Sequence, residues 1–96
     1  MRKTKSEHSL TCLVNIGNVT AKKLERIGIY TKEDFLSRDP YEVYTLLLEN
    51  VDPSLCRCML ASLVGAKKGV PWHTITKKTA EEYQKRNPDH HWKNNC

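Results

Sequence analysis

Two Asp-Pro pairs constrain this chain more than anything else in it. Asp39-Pro40 and Asp52-Pro53 each set a capping carboxylate ahead of a proline at a first helical position, where the missing N–H and the fixed φ are no handicap. The middle of the chain is therefore cut into short helices. Behind the first pair, Val43, Tyr44, Leu47 and Leu48 recur at helical spacing. Behind the second, Leu55, Cys56, Met59, Leu60, Leu63 and Val64 form a wide apolar arc, which marks that segment as the central core helix. Lys67 and Lys68 suit its C-terminus, and Gly69 to Pro71 break the chain.

The flanks are helical by the same criteria. Ser9 reads as the N-cap of a short first helix with Leu10, Leu13 and Val14 as its stripe. Asn15-Ile16-Gly17-Asn18 is turn chemistry. From Val19, residues Ala21, Leu24 and Ile27 point inward and Lys22, Lys23 and Arg26 outward, until Gly28 supplies a left-handed cap. Thr31 with Asp34 approximates a capping box for a short third helix carrying Phe35 and Leu36. Trp72 and Ile75 are expected to dock on the core before a last helix near 77–85, anchored by Ala80 and Tyr83. No period-two strand appears. The expected fold is all-α: five or six helices in one compact domain around a helix-hairpin-helix, SAM-like core. A basic leader spans 1–8, the domain 9–86 and a mobile tail 87–96, although Trp92 leaves both a docked terminus and a partner contact open.

Composition narrows the function classes. No run of about 18 apolar residues could span a bilayer, and a polar segment follows the basic N-terminus where a secretory signal needs an apolar one, so a cytoplasmic, soluble protein is expected. Cys12, Cys56, Cys58 and Cys96 have no C-x-x-C spacing, which disfavours a metal site, and Cys12, Cys56 and Cys58 read as reduced, small apolar residues. His8, His73, His90 and His91 join no catalytic motif. His73 with Cys56 or Cys58 is a weak Cys–His candidate, and His90, His91 and Cys96 would bind metal only adventitiously from a mobile tail. No enzyme activity, cofactor, metal or small-molecule substrate is expected. The net charge of +5 divides into basic ends and an acidic middle, which permits a polyanion contact without requiring one.

The Asn15–Ala21 hairpin carries the chemistry. It resembles the helix-hairpin-helix motif, written Gly-hydrophobe-Gly between helices, with Asn15 in the first glycine's place and Gly17 in the second's. Backbone N–H groups at Gly17, Asn18 and Val19 would meet the positive end of the following helix and accept a phosphate. Thr20 would add a hydroxyl, and Lys22, Lys23 and Arg26 would reach flanking phosphates. The same turn would serve equally as a bare connection, with Ile16 plugging the core and the lysines solvated. Asn50-Val51-Asp52-Pro53 stands as a degenerate second hairpin in which Asp52 would repel a phosphate.

A closer resemblance runs from Leu10 to Ile75. Asn15-Ile16-Gly17, Thr20-Ala21-Lys22-Lys23-Leu24, Ile27-Gly28-Ile29, Leu60 to Ala66 and the Gly69-x-x-Trp72 corner are similar to the C-terminal domain of the TfoX family of bacterial competence regulators. The resemblance implies a hairpin-containing helical domain with a role in DNA uptake or transcription, here as a stand-alone module without the family's N-terminal domain. The expected function is thus weak, sequence-independent binding of the DNA backbone through Asn15, Gly17, Asn18, Val19, Thr20, Lys22, Lys23 and Arg26. The alternative is a protein-interaction module using the acidic patch at Glu33, Asp34, Glu42 and Glu49, or Tyr30 and Tyr41. The two separate on geometry: Lys22, Lys23 and Arg26 sharing a face with Lys67, Lys68, Lys77 and Lys78 favours DNA, and scattered cations favour a protein.

Overall fold

Each helix begins and ends for a local reason. The computed structural model describes residues 9–90 and 92; the leader with His8, as well as His91 and Cys96, lies outside the described residues. Among those described there are five α-helices and no strand, with one lone antiparallel bridge between Ser9 and Thr31. Ser9 caps only a single 3₁₀ turn, Leu10–Cys12. The expected first helix is therefore one turn, and Val14 is 40% exposed instead of continuing a stripe. The helix-hairpin-helix core is to that extent a 3₁₀ turn joined to an α-helix. Asn15 does take the left-handed conformation, at φ 71°, whereas Gly17 is extended at φ −97° and is the N-cap of helix α1, Asn18–Glu25.

Helix α1 closes as expected at Gly28, whose φ of 88° lets its N–H reach the Glu25 carbonyl and the Ile29 N–H reach that of Leu24. Thr31 and Asp34 form both bonds of a capping box on α2, Lys32–Leu36. Asp39 caps α3, Pro40–Asn50, by accepting from the Tyr41 N–H. The second Asp-Pro pair does not start a helix: α4 runs Arg57–Lys68, with Cys56 as its N-cap. Asp52 instead accepts from both the backbone N–H and the hydroxyl of Ser54, a local turn that competes with helix. The buried Tyr44 hydroxyl donates to the Leu55 carbonyl at 2.9 Å, or to that of Cys56 at 3.1 Å, which fixes this segment outside a helical ladder. Helix α5, Thr76–Arg86, follows a second 3₁₀ turn at Trp72–Thr74.

The centre is α4, packed against α3, α5 and the second 3₁₀ turn, while α1 and α2 gather on the first. Leu24, Ile29, Phe35, Val43, Leu47, Leu60 and Leu63 are fully buried, each stabilising the fold by roughly 1.5–3 kcal/mol relative to exposure. The Cα radius of gyration is 13.1 Å, that of a compact chain of about this length. Beyond α5 the Gln84 amide donates to the carbonyls of Asn87, Pro88 and His90. Trp92 lies on the core: its indole N–H donates to the Tyr44 hydroxyl at 2.7 Å, and the Arg57 guanidinium sits 5.3 Å from its ring. Burial pushes the Tyr44 phenol up to about 12. Cys56 is disulfide-bonded, against the reduced state expected of it, and Cys12 is exposed rather than packed. No described helix is long and apolar enough to cross a membrane.

Candidate functional site

The hairpin residues part company in three dimensions. Asn15 turns inward. Its side-chain amide donates to the Val70 carbonyl at 2.9 Å and the Ser62 carbonyl at 3.4 Å, and its oxygen accepts from the Trp72 N–H at 3.2 Å. Those bonds tie the hairpin to the corner where α4 passes into the second 3₁₀ turn. Gly65 permits this approach, since a Cβ there would lie 2.6 Å from both the Asn15 amide nitrogen and the Val70 oxygen. Gly17, Asn18 and Val19 are exposed at the start of α1, where no side chain caps the helix, and Thr20 is half-buried. Lys22 and Arg26 are exposed, whereas Lys23 is half-buried and pairs with Asp52 at 3.4 Å.

The cations do not form one face. Lys23 meets Asp52 just ahead of the N-terminal end of α4. Lys67 is at the other end of that helix, roughly 16–18 Å away by its rise per residue, and donates to the Arg38 carbonyl. Lys68 and Lys78 line a separate groove with Tyr41, Ile75 and Arg86. The acidic patch is partly spent as well, because the Tyr30 and Thr31 N–H groups hold the Asp34 carboxylate below its ordinary range. Tyr41 is covered by Arg86, 4.2 Å from its ring, and Tyr30 remains 63% exposed.

What the hairpin does border is a groove of about 500 Å³ lined by Asp52, Ser54, Leu55, Cys56, Cys58, Met59, Ser62 and Trp72. Asn15 stands at its Ser62–Trp72 end and Lys23 at its Asp52 end. Val19 lies between them in sequence and one helical turn before Lys23, on the same face of α1, 70% exposed. Trp72, expected on the core, is 38% exposed and lines the groove. The Asp52 carboxyl is held below its ordinary value, first by the Ser54 hydroxyl, then by the Ser54 N–H and Lys23. The sequence reading missed this groove because it docked Trp72 on the core; Met59 does pack against the core, as expected, while also lining the groove. The available signal was Pro71-Trp72, a large aromatic in a break between helices, where no periodic partner exists to bury it.

Comparison with known proteins bears on the whole length. The family model described as Cdd1, pathogenicity locus, matches residues 3–94. The mitomycin resistance protein McrB of Streptomyces lavendulae is 36% identical over 71 residues, covering 67% of this chain and 68% of that protein. The crystal structure of an uncharacterized protein from Listeria monocytogenes superposes with a TM-score of 0.70 at 29% identity, over 85% of this chain and 97% of that one. These matches overturn the resemblance to the TfoX competence regulators, which rested on scattered short stretches. The DNA-backbone function and the competence role attached to it fall with it. With Asn15 turned into the fold, Lys23 neutralised and the remaining cations dispersed, the geometry had already removed most of its support. The model match runs over nearly the entire sequence, and the chain belongs to the Cdd1 pathogenicity-locus family.

Proposed function

We propose that this protein is a non-catalytic binding module that serves a resistance function, of the kind its Streptomyces relative is named for, by docking a protein partner on the groove lined by the 52–56 segment, the start of α4 and Trp72. The observation that carries the reading is apolar: Trp72 stands 38% exposed in the lining of a groove that Leu55 and Met59 also line. Large apolar side chains gathered at one exposed site mark interaction surfaces more often than singly scattered ones do. The scattered cations favour a protein over a polyanion. The 36% identity to a mitomycin resistance protein supplies the process.

The test is survival under mitomycin of a host strain lacking the gene, complemented with the parent chain or with Trp72→Ala and Trp72→Glu variants. Both substitutions are at an exposed position, and circular dichroism checks that the variants fold. Protection by the parent and its loss with folded variants supports the reading. Equal survival with and without the parent gene removes the resistance role, and full protection by both variants removes the groove from it.

A further inference from the structure

Trp92 is docked beside a disulfide-bonded cysteine. Cys56, the N-cap of α4, is disulfide-bonded. Its carbonyl lies 3.1 Å from the Tyr44 hydroxyl, and that hydroxyl accepts from the Trp92 indole N–H at 2.7 Å. Trp92 is thus one phenol away from the Cys56 backbone, with the guanidinium of the next residue, Arg57, 5.3 Å from its ring. Cys12 and Cys58 are thiols. The sequence has one further cysteine, Cys96, outside the described residues and four positions beyond Trp92. Four residues of extended chain span up to about 14 Å, enough to return to a site that the indole already adjoins through two hydrogen bonds.

Without a covalent tie the docked indole is weakly held. It has the hydrogen bond to Tyr44 and ring contacts with His90 at 4.7 Å and Tyr83 at 5.9 Å. Against these, the Arg57 Nε beside it is buried with no hydrogen-bond partner among the described residues, which costs free energy, and ordering the end of a chain costs more. A crosslink offsets that second cost by restricting the detached tail. The disulfide is also within reach of a small thiol. Cys56 is half-buried and lines the open groove with Cys58, Ser62 and Trp72, and accessible disulfides are the ones that a thiolate attacks readily.

We propose that Cys96 closes the disulfide of Cys56, so that the chain beyond α5 is a redox-sensitive strap that holds Trp92 on Tyr44 when oxidised and frees it when reduced. A small dithiol opens it: one thiolate attacks a sulfur of the protein disulfide, the S–S bond breaks, and the second thiolate resolves the mixed disulfide. Two electrons and two protons pass to the protein, which gains two thiols, and the dithiol leaves as its own disulfide. Release uncovers the Tyr44 hydroxyl and the Arg57 guanidinium. This device is independent of the docking and resistance reading above. The experiment uses the Trp72→Phe chain, in which Trp92 is the sole indole. Oxidised protein is digested without reductant and mapped by mass spectrometry, where a peptide crosslinked between Cys56 and Cys96 is expected. Dithiothreitol should then shift the Trp92 emission to the red and raise its quenching by acrylamide several-fold, with the helical signal at 222 nm retained. Cys56→Ser and Cys96→Ser should each show the reduced signature from the outset and no response to dithiothreitol, whereas Cys12→Ser and Cys58→Ser should respond as the parent does. A crosslink from Cys56 to Cys12 or Cys58, no crosslink at all, or emission unchanged on reduction overturns the proposal. So does a red shift accompanied by loss of the helical signal, because the whole fold and not the strap then opens.

Discussion

Gly65 and Asn15 are a matched pair, the absence of a side chain on one making room for the amide of the other. Because one of the two atoms 2.6 Å from a would-be Cβ is the Val70 backbone oxygen, rotating a side chain cannot relieve the clash. Gly65→Ala is expected to destabilise the fold by about 1–3 kcal/mol, the usual range for overpacking, read as a lower midpoint in urea. A second residue-scale prediction concerns acid. The Tyr30 and Thr31 N–H groups hold the Asp34 carboxyl below its ordinary 3.8 only in the folded chain. On acidification the unfolded chain therefore takes up that proton first. The stabilisation is full above pH 4 and is lost as pH falls through the depressed folded value. A thermal-melting series in acid should show a shallower decline for Asp34→Asn than for the parent. Tyr44 works in the opposite sense at high pH. Its phenol is raised to about 12 in the fold, so the unfolded chain deprotonates first and stability declines from about pH 10 upward.

At the scale of elements, what the sequence revealed was whatever depends on near neighbours. The Asp39 cap, the Thr31–Asp34 box, the left-handed Gly28 and the end of α4 at Gly69 each need only a few adjacent residues, and each was legible. Asp52-Pro53 carries the same signature as Asp39-Pro40 and starts no helix, because Ser54 offers Asp52 a nearer pair of donors and Tyr44 takes the carbonyls of Leu55 and Cys56. The two pairs should therefore respond differently to mutation. Asp39→Ala is expected to cost about 1 kcal/mol with a loss of helical signal at 222 nm, as for other N-caps. Asp52→Ala should leave the helical signal unchanged and release Lys23. The groove was illegible for a related reason. It is assembled from the 52–56 segment, α4 and Trp72, and no periodicity within one of them records the others. Trp92 was undecidable because the tail has no repeat, and its place on Tyr44 is set by residues 48 positions away.

For the molecule as a whole, stability concentrates on α4. Leu60 and Leu63 are fully buried where α3 and α5 converge, and Leu60→Ala should destabilise by about 2–5 kcal/mol. The hairpin is secured differently. The bonds of Asn15 reach residues 47, 55 and 57 positions along the chain, so its amide gains partners only after α4, Gly69 and Pro71 have taken their places. Contacts between such distant residues carry a loop-closure cost that delays them relative to local ones. The order of events in folding follows: α4 with α3 and α5 first, and the hairpin secured to them late. A bond absent from the transition state is felt on the way out of the native state rather than on the way in. In stopped-flow measurements Asn15→Ala should accelerate unfolding while leaving the refolding rate nearly unchanged, so the lifetime of the native protein depends on this one side chain.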